Sequence, residues 1–122
     1  MLPPNIAPVQ VVVIPCGIKA SHDETMKKNH HTACVRLVDE LNKNGFRVKG
    51  DFRNNRTPRW KFNHWELKGV PIRLELGVND MLKDQVIFVR RDNSERTAVK
   101  TCDVITSLTS VLKNMQEELL SK

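Results

Sequence analysis

The run "VQVVVI", residues 9 to 14, constrains this chain more than any other stretch. Its valines and isoleucine follow one another without polar alternation. A strand with one wet face would alternate, so this run predicts a strand buried on both faces. Pro15 and Gly17 end it. Ser21 and Glu24 then have capping-box spacing, and behind them Met26, Ala33, Leu37, Val38 and Leu41 fall on one helical face. Asn44-Gly45 supplies the helix stop, and "FRV" at 46 to 48 resumes strand alternation. Strand, long helix, strand is a crossover unit, which requires parallel strands and a right-handed connection.

The later chain reads in the same way. Thr57 and Pro58 are an N-cap and a first-turn proline, so "PRWKFNHWELK" is a short helix that Gly69, ahead of Pro71, terminates. "IRLELG" (72 to 77) alternates, with Ile72, Leu74 and Leu76 on one face and Arg73 and Glu75 on the other. "QVIFVRR" (85 to 91) is a further strand, "DNSE" a turn and "RTAVK" a weaker edge strand. Val104, Ile105, Leu108, Val111, Leu112, Met115 and Leu119 form an apolar stripe that predicts a last helix over 103 to 120. The sum is an α/β fold, a mixed sheet of about five strands flanked by three helices. A length of 122 residues suits one domain spanning 1 to 122.

The charge is unevenly placed. Of 20 Lys and Arg, eight lie between Arg47 and Arg73, where the only acids are Asp51 and Glu66. The other twelve bases and twelve acids cancel, so the whole net charge of +6 sits in that segment. Such a focus favours a polyanionic partner over an evenly solvated surface. Three widely spaced cysteines, Cys16, Cys34 and Cys102, do not make a disulfide framework and fit a reducing compartment. His30, His31 and Cys34 lack the fourth ligand of a structural zinc site and read as ordinary helix residues, so no metal is expected. "MLPPNIAPVQ" lacks the zones of a signal peptide, and no apolar run approaches membrane length. The expectation is a soluble, cytoplasmic protein.

Catalytic motifs are absent. The chain has no glycine-rich phosphate loop and no nucleophile elbow, and Cys16 with His64 has no motif around it. An RNA-binding reading fares better. Single-stranded RNA is read by stacking bases on aromatic or guanidinium planes and bonding their edges. "RTPRWKFNHWELKGVPIRLELG" (56 to 77) supplies Trp60, Phe62 and Trp65 as rings, Arg56, Arg59 and Arg73 as guanidinium groups, and one carboxylate, Glu66. A carboxylate is wrong for phosphate but suits the N1–H and exocyclic amine of guanine. The alternative is that Glu66 pairs with Lys68 or Arg73. Trp65 reads as the anchor of the short helix on the sheet, since burying so large a ring outweighs a surface contact.

"LPP…IAPVQVVVIP", "GDFRNNRTPRWKFNHWELKGVPIRLELG" and the strand that follows resemble the anticodon-binding domain of prolyl-tRNA synthetase, in its eukaryotic and archaeal variant among the class II synthetases. The resemblance runs from Leu2 into the last helix and implies that domain's fold. It implies binding of the proline tRNA anticodon loop and reading of its guanines, with Glu66 as the reading carboxylate. Arg73 becomes a base or backbone contact and Phe62 a stacking platform. A basic residue on the later hairpin also reaches a guanine in this family; Arg96 is the match, with Glu95 beside it in register. Lys61, Arg56 and Arg59, from the basic segment rather than from the resemblance, complete the candidate anticodon-contact set. Two positions depart from the family pattern: Arg59 stands where glycine is usual, and after "LELG", where the family usually has proline and a basic residue before the aspartate, this chain has "VND", so Asn79 lacks the charge that commonly sits there.

The resemblance places ATP and magnesium in a separate catalytic domain, so it implies no cofactor for this domain and no catalysis by this chain alone. The parent enzyme would be a homodimeric proline–tRNA ligase, with its own catalytic domain as a partner. A free-standing protein-interaction module of the same fold, or the equivalent domain of a threonyl, histidyl or glycyl synthetase, are the competing readings.

Overall fold

Val11, Val12, Val13 and Ile14 are all fully buried, and the sheet is built outward from them. The computed structural model describes residues 9–17, 21–53, 56–91 and 95–120, with backbone alone over 118–120. Strand β1 (Val11–Cys16) pairs parallel with β2 (Val48–Gly50) on one side and with β3 (Ile72–Gly77) on the other. Strands β4 (Gln85–Arg90) and β5 (Arg96–Lys100) add antiparallel beyond β3. The order is β2-β1-β3-β4-β5, so the mixed five-stranded sheet expected from the sequence is present.

The two faces of β1 have different covers. Helix α1 (Glu24–Lys43) joins β1 to β2 and helix α4 (Val104–Leu120) ends the described chain. Cys34, Leu37 and Leu41 of α1 and Val104, Leu108, Leu112 and Met115 of α4 pack with Val11, Val13, Ile72, Leu74, Leu76, Val86 and Phe88. Each such aliphatic side chain contributes about 1.5–3 kcal/mol on leaving water. On the opposite face Val12, Ile14 and Val70 pack with Phe62 and Trp65 of helix α2 (Pro58–Leu67). The double burial of β1 is what its unbroken apolar run requires.

Four details differ from the sequence reading. The cap of α1 is Asp23, whose carboxylate accepts from the Met26 N–H at 2.7 Å, rather than a Ser21–Glu24 box. Both patterns place a short oxygen side chain before an apolar periodicity, and the periodicity alone does not distinguish them. Strand β2 begins at Val48 rather than at Phe46, because the Phe46 N–H closes α1 by donating to the Leu41 carbonyl. A fourth helix, α3 (Val78–Leu82), follows β3, started by the Asp80 carboxylate accepting from the Gly77 N–H at 3.1 Å. Its five residues are too few for a helical period to register in sequence. Last, a 3₁₀ turn at Thr101–Asp103 precedes α4. Residues 1–8 and the first three residues of the expected "DNSE" turn lie outside the described residues.

Candidate functional site

Helix α2 and strand β3 are held in a fixed relation by their caps. The Thr57 hydroxyl accepts from the Trp60 N–H at 3.1 Å, and Pro58 occupies the first turn. At the other end Gly69 adopts φ +81°, which a residue with a Cβ reaches only under strain. The turn it makes lets the Val70 N–H donate to the Trp65 carbonyl at 3.2 Å and sends the chain directly into β3. Phe62, Trp65 and Glu66, at helical i, i+3 and i+4, therefore lie alongside Arg73.

Between them is a cleft of about 80 Å³. Val12, Val70 and Val89 give it an apolar lining, and Phe62, Trp65, Glu66, Arg73, Arg90 and Arg91 complete it. Arg73 stands with its guanidinium carbon 4.0 Å from the Phe62 ring centroid, a cation–π contact. Its Nε donates to Glu75 Oε2 at 2.9 Å. Glu75 also accepts from Arg96, whose Nη1 reaches Oε2 at 2.9 Å and whose Nη2 reaches Oε1 at 2.6 Å. This carboxylate is only 6% exposed. Its hydrogen bonds raise the Arg96 pKa above the ordinary arginine value.

Glu66 differs from Glu75 in every respect. It is exposed, and its carboxylate has no hydrogen bond or ion pair among the described residues. Neither Lys68, which lies 5.9 Å over the Trp65 ring, nor Arg73 takes it as a partner. Its backbone carbonyl, by contrast, accepts from the Gly69 N–H and from Arg91 Nε, each at 3.1 Å, and the second bond ties the end of α2 to the chain leaving β4. An exposed, unpaired carboxylate at the rim of a cleft edged by arginines is positioned to accept from a donor that enters.

The buried side of α2 is organised by Asp51. This residue is 3% exposed and accepts from Arg53 Nε at 2.8 Å, Arg53 Nη2 at 2.5 Å and Trp65 Nε1 at 2.8 Å. Burial by itself would push its carboxyl up, but the bonds from Arg53 and Trp65 outweigh that and hold it at about 2. Trp65 is thus the expected anchor of α2, with its ring on Val12, Ile14 and Val70 and its N–H on Asp51.

The sequence-predicted contact residues divide into groups. Phe62, Glu66 and Arg73 meet in the cleft, and Arg96 joins them through Glu75. Lys61 does not reach the cleft: it is 5% exposed, and its ammonium donates to the Asp51 carbonyl at 3.0 Å. A lysine in "RWKFNHW" reads as surface from its charge, yet the helical period turns it to the same side as Trp65. Arg56 stacks on Trp60 at 4.6 Å, as does Arg53. Arg56 and Lys61 line a second crevice, of about 350 Å³, beyond the carboxyl end of β1. Arg59 is exposed at the start of α2. The His30 Nε2–H donates to the Leu76 carbonyl at 2.7 Å, and burial first of all pushes the Cys16 and Cys34 thiols up to about 12, so both stay protonated.

Sequence reasoning missed Glu75, Asp51 and Arg91. For Glu75 the signal was available, since strand alternation puts residues 73 and 75 side by side on one face. Nothing in the sequence announces the reach of Arg91 to α2.

A mixed sheet carrying an arginine-edged cleft against a capped helix defines an α/β domain with a basic cleft, and comparison with known proteins gives its family. Residues 10–111 match the family of the anticodon binding domain, and the chain belongs to that family. It is 41% identical over its whole length to the bifunctional glutamate/proline–tRNA ligase of Drosophila melanogaster. It is 43% identical, over 98% of its length, to the proline–tRNA ligase of Natranaerobius thermophilus, and 42% identical over its whole length to that of Alkaliphilus oremlandii. The chain spans 7%, 23% and 24% of the lengths of these three relatives. Among the described residues no helix is long and apolar enough to cross a membrane.

Proposed function

We propose that this chain is the part of a proline–tRNA ligase that binds the anticodon loop of proline tRNA, and that the α2–β3 cleft reads guanine. The observation that carries this is the meeting of an unpaired Glu66 carboxylate with the Phe62–Arg73 stack in one cleft. A guanine entering it would donate from N1 and from its exocyclic amine to the two oxygens of Glu66. Adenine has no N1 proton and would leave that carboxylate partly unmatched. The Arg73 guanidinium, backed by Phe62, offers a plane or a donor edge to the same or a neighbouring base. The surrounding basic residues neutralise backbone phosphates, which adds affinity without sequence information.

Amino-acid activation, with its ATP and magnesium, belongs on this reading to the larger remainder of such a ligase, and the setting is the cytoplasmic translation machinery. The proline assignment rests on the names of the relatives, and the guanine assignment rests on the cleft. An anticodon stem-loop of proline tRNA titrated with the 122-residue chain tests both. Binding should weaken when an anticodon guanine is replaced by adenine. Equal binding of an unrelated stem-loop would reject the reading.

A further inference from the structure

Beside the cleft, the sheet face that α2 leaves uncovered carries a charge cluster for which guanine reading by Glu66 has no use. Strand register places Arg73 opposite Val89, and Val89 opposite Arg96, so the two arginines flank β4 on one face. Glu75 lies two residues from Arg73 on that face, and Arg96 reaches it across β4. A carboxylate buried this deeply is retained only when its lone pairs are met, and here three N–H groups meet them.

The two arginines are not used alike. Arg96 commits both Nη atoms to Glu75, at 2.9 and 2.6 Å. Arg73 commits only Nε, at 2.9 Å, and its Nη atoms have no partner among the described residues. With Nε tied to Glu75 and the guanidinium carbon 4.0 Å from Phe62, the plane of Arg73 is fixed from its edge and from its face. A guanidinium fork held in this way suits the paired O6 and N7 acceptors of guanine, the commonest specific arginine contact to a base.

We propose that Glu75 is the positioning residue of the cleft: it aims the free Nη donors of Arg73 at a guanine and holds Arg96 as a brace instead of an RNA contact. This rests on the guanine-reading function proposed above. It assigns Arg96 a role unlike the direct contact that the family resemblance implies.

The test uses the full chain with two proline-type anticodon stem-loops, one carrying guanine and one with that base replaced by adenine, and follows affinity and thermal unfolding together. Glu75→Gln keeps the shape but offers Arg73 a poorer acceptor. It should lower the guanine-to-adenine ratio by about tenfold, the scale of one lost base contact. Arg73→Gln should lower it equally, and the double variant should lose nothing further, because the two residues act as one unit. Arg96→Gln, on a side chain that is 55% exposed, removes the brace but leaves the Arg73 donors and their Glu75 acceptor in place, so it should lower the ratio by clearly less than Arg73→Gln does. A folded Glu75→Gln protein with the wild-type ratio and a lowered melting temperature would show a purely structural cluster and overturn the inference. So would an Arg96→Gln protein that loses as much selectivity as Arg73→Gln, an arm that reads out even where Glu75→Gln does not fold. Wild-type chain that binds both loops alike would instead overturn guanine reading itself.

Discussion

The guanidinium carbon of Arg73 lies 4.0 Å from the centroid of the Phe62 ring, so the first residue of the cleft's helical wall and the first charged residue of β3 form one stacked unit. One face of the Phe62 ring is therefore covered by the Arg73 guanidinium, and on the function proposed here that supported guanidinium is the surface offered to a base. Replacing the ring while keeping apolar bulk separates these roles. Phe62→Leu should weaken stem-loop binding by about 1 kcal/mol, or roughly fivefold, the range of a partly exposed cation–π contact. Fluorescence anisotropy with labelled RNA measures it, and unchanged affinity would remove the stack from the binding account.

The turn at Gly69 sets where α2 stands over β3. Its φ of +81° is strained for any other side chain, although a Cβ there would meet nothing within 4 Å. Gly69→Ala should therefore destabilise the fold by about 1 kcal/mol through backbone conformation alone. Urea unfolding gives the value directly. A stabilised variant would mean that the helix–strand turn is not under this constraint.

Asp51 makes the fold sensitive to acid. Its carboxyl is held at about 2 against an ordinary 3.8, so the native state binds its proton more weakly than the unfolded chain does. The resulting stability is fully present above pH 3.8 and is lost as pH falls through that value toward 2. The contribution is on the order of 2 kcal/mol. Comparing wild type with Asp51→Asn across this window should show the difference in stability shrinking as pH drops. A difference that stays constant down to pH 2 would show that ionisation of Asp51 is not what anchors Trp65 and Arg53.

The sheet and the longer helices were legible because each has a period or a cap with one physical reading. The β-branched, unalternating run at 9–14 suits a doubly buried strand, and Thr57-Pro58 with Gly69 bounds α2 from both ends. The cleft was legible in part. Phe62, Glu66 and Arg73 share a motif, and the short connection through Gly69 brings them together. What sequence hides is the use each charge is put to. Lys61 and Glu66 sit five residues apart on one helix, yet the first is buried against the Asp51 carbonyl and the second stands free. Which partner a charge finds depends on the loops packed beside the helix, and no local pattern encodes them. The same is true of Glu75, which pairs with a residue 21 positions away.

Binding should also report the basic segment. Each phosphate neutralised on a single strand contributes about −0.7 to the slope of log affinity against log salt. Engagement of a few of the clustered bases predicts a slope of a few units, measured by titration at increasing salt. Arg59→Ala should reduce the slope by less than about one unit and leave base preference alone, since a phosphate contact carries no sequence information. A flat salt response would place the contact surface elsewhere.

If Glu66 accepts from guanine, a double-mutant cycle between Glu66→Ala and a guanine-to-adenine change in the anticodon loop will register the contact. A two-bond contact to a base edge predicts a loss of about 1–3 kcal/mol for Glu66→Ala on the guanine loop. On the adenine loop the same substitution should cost little, because the partner is already gone, and the two changes should be strongly non-additive. Being exposed and unpaired, Glu66 should leave the melting temperature nearly unchanged when removed. If instead the variant keeps the wild-type guanine-to-adenine ratio while remaining folded, Glu66 is not the reading carboxylate.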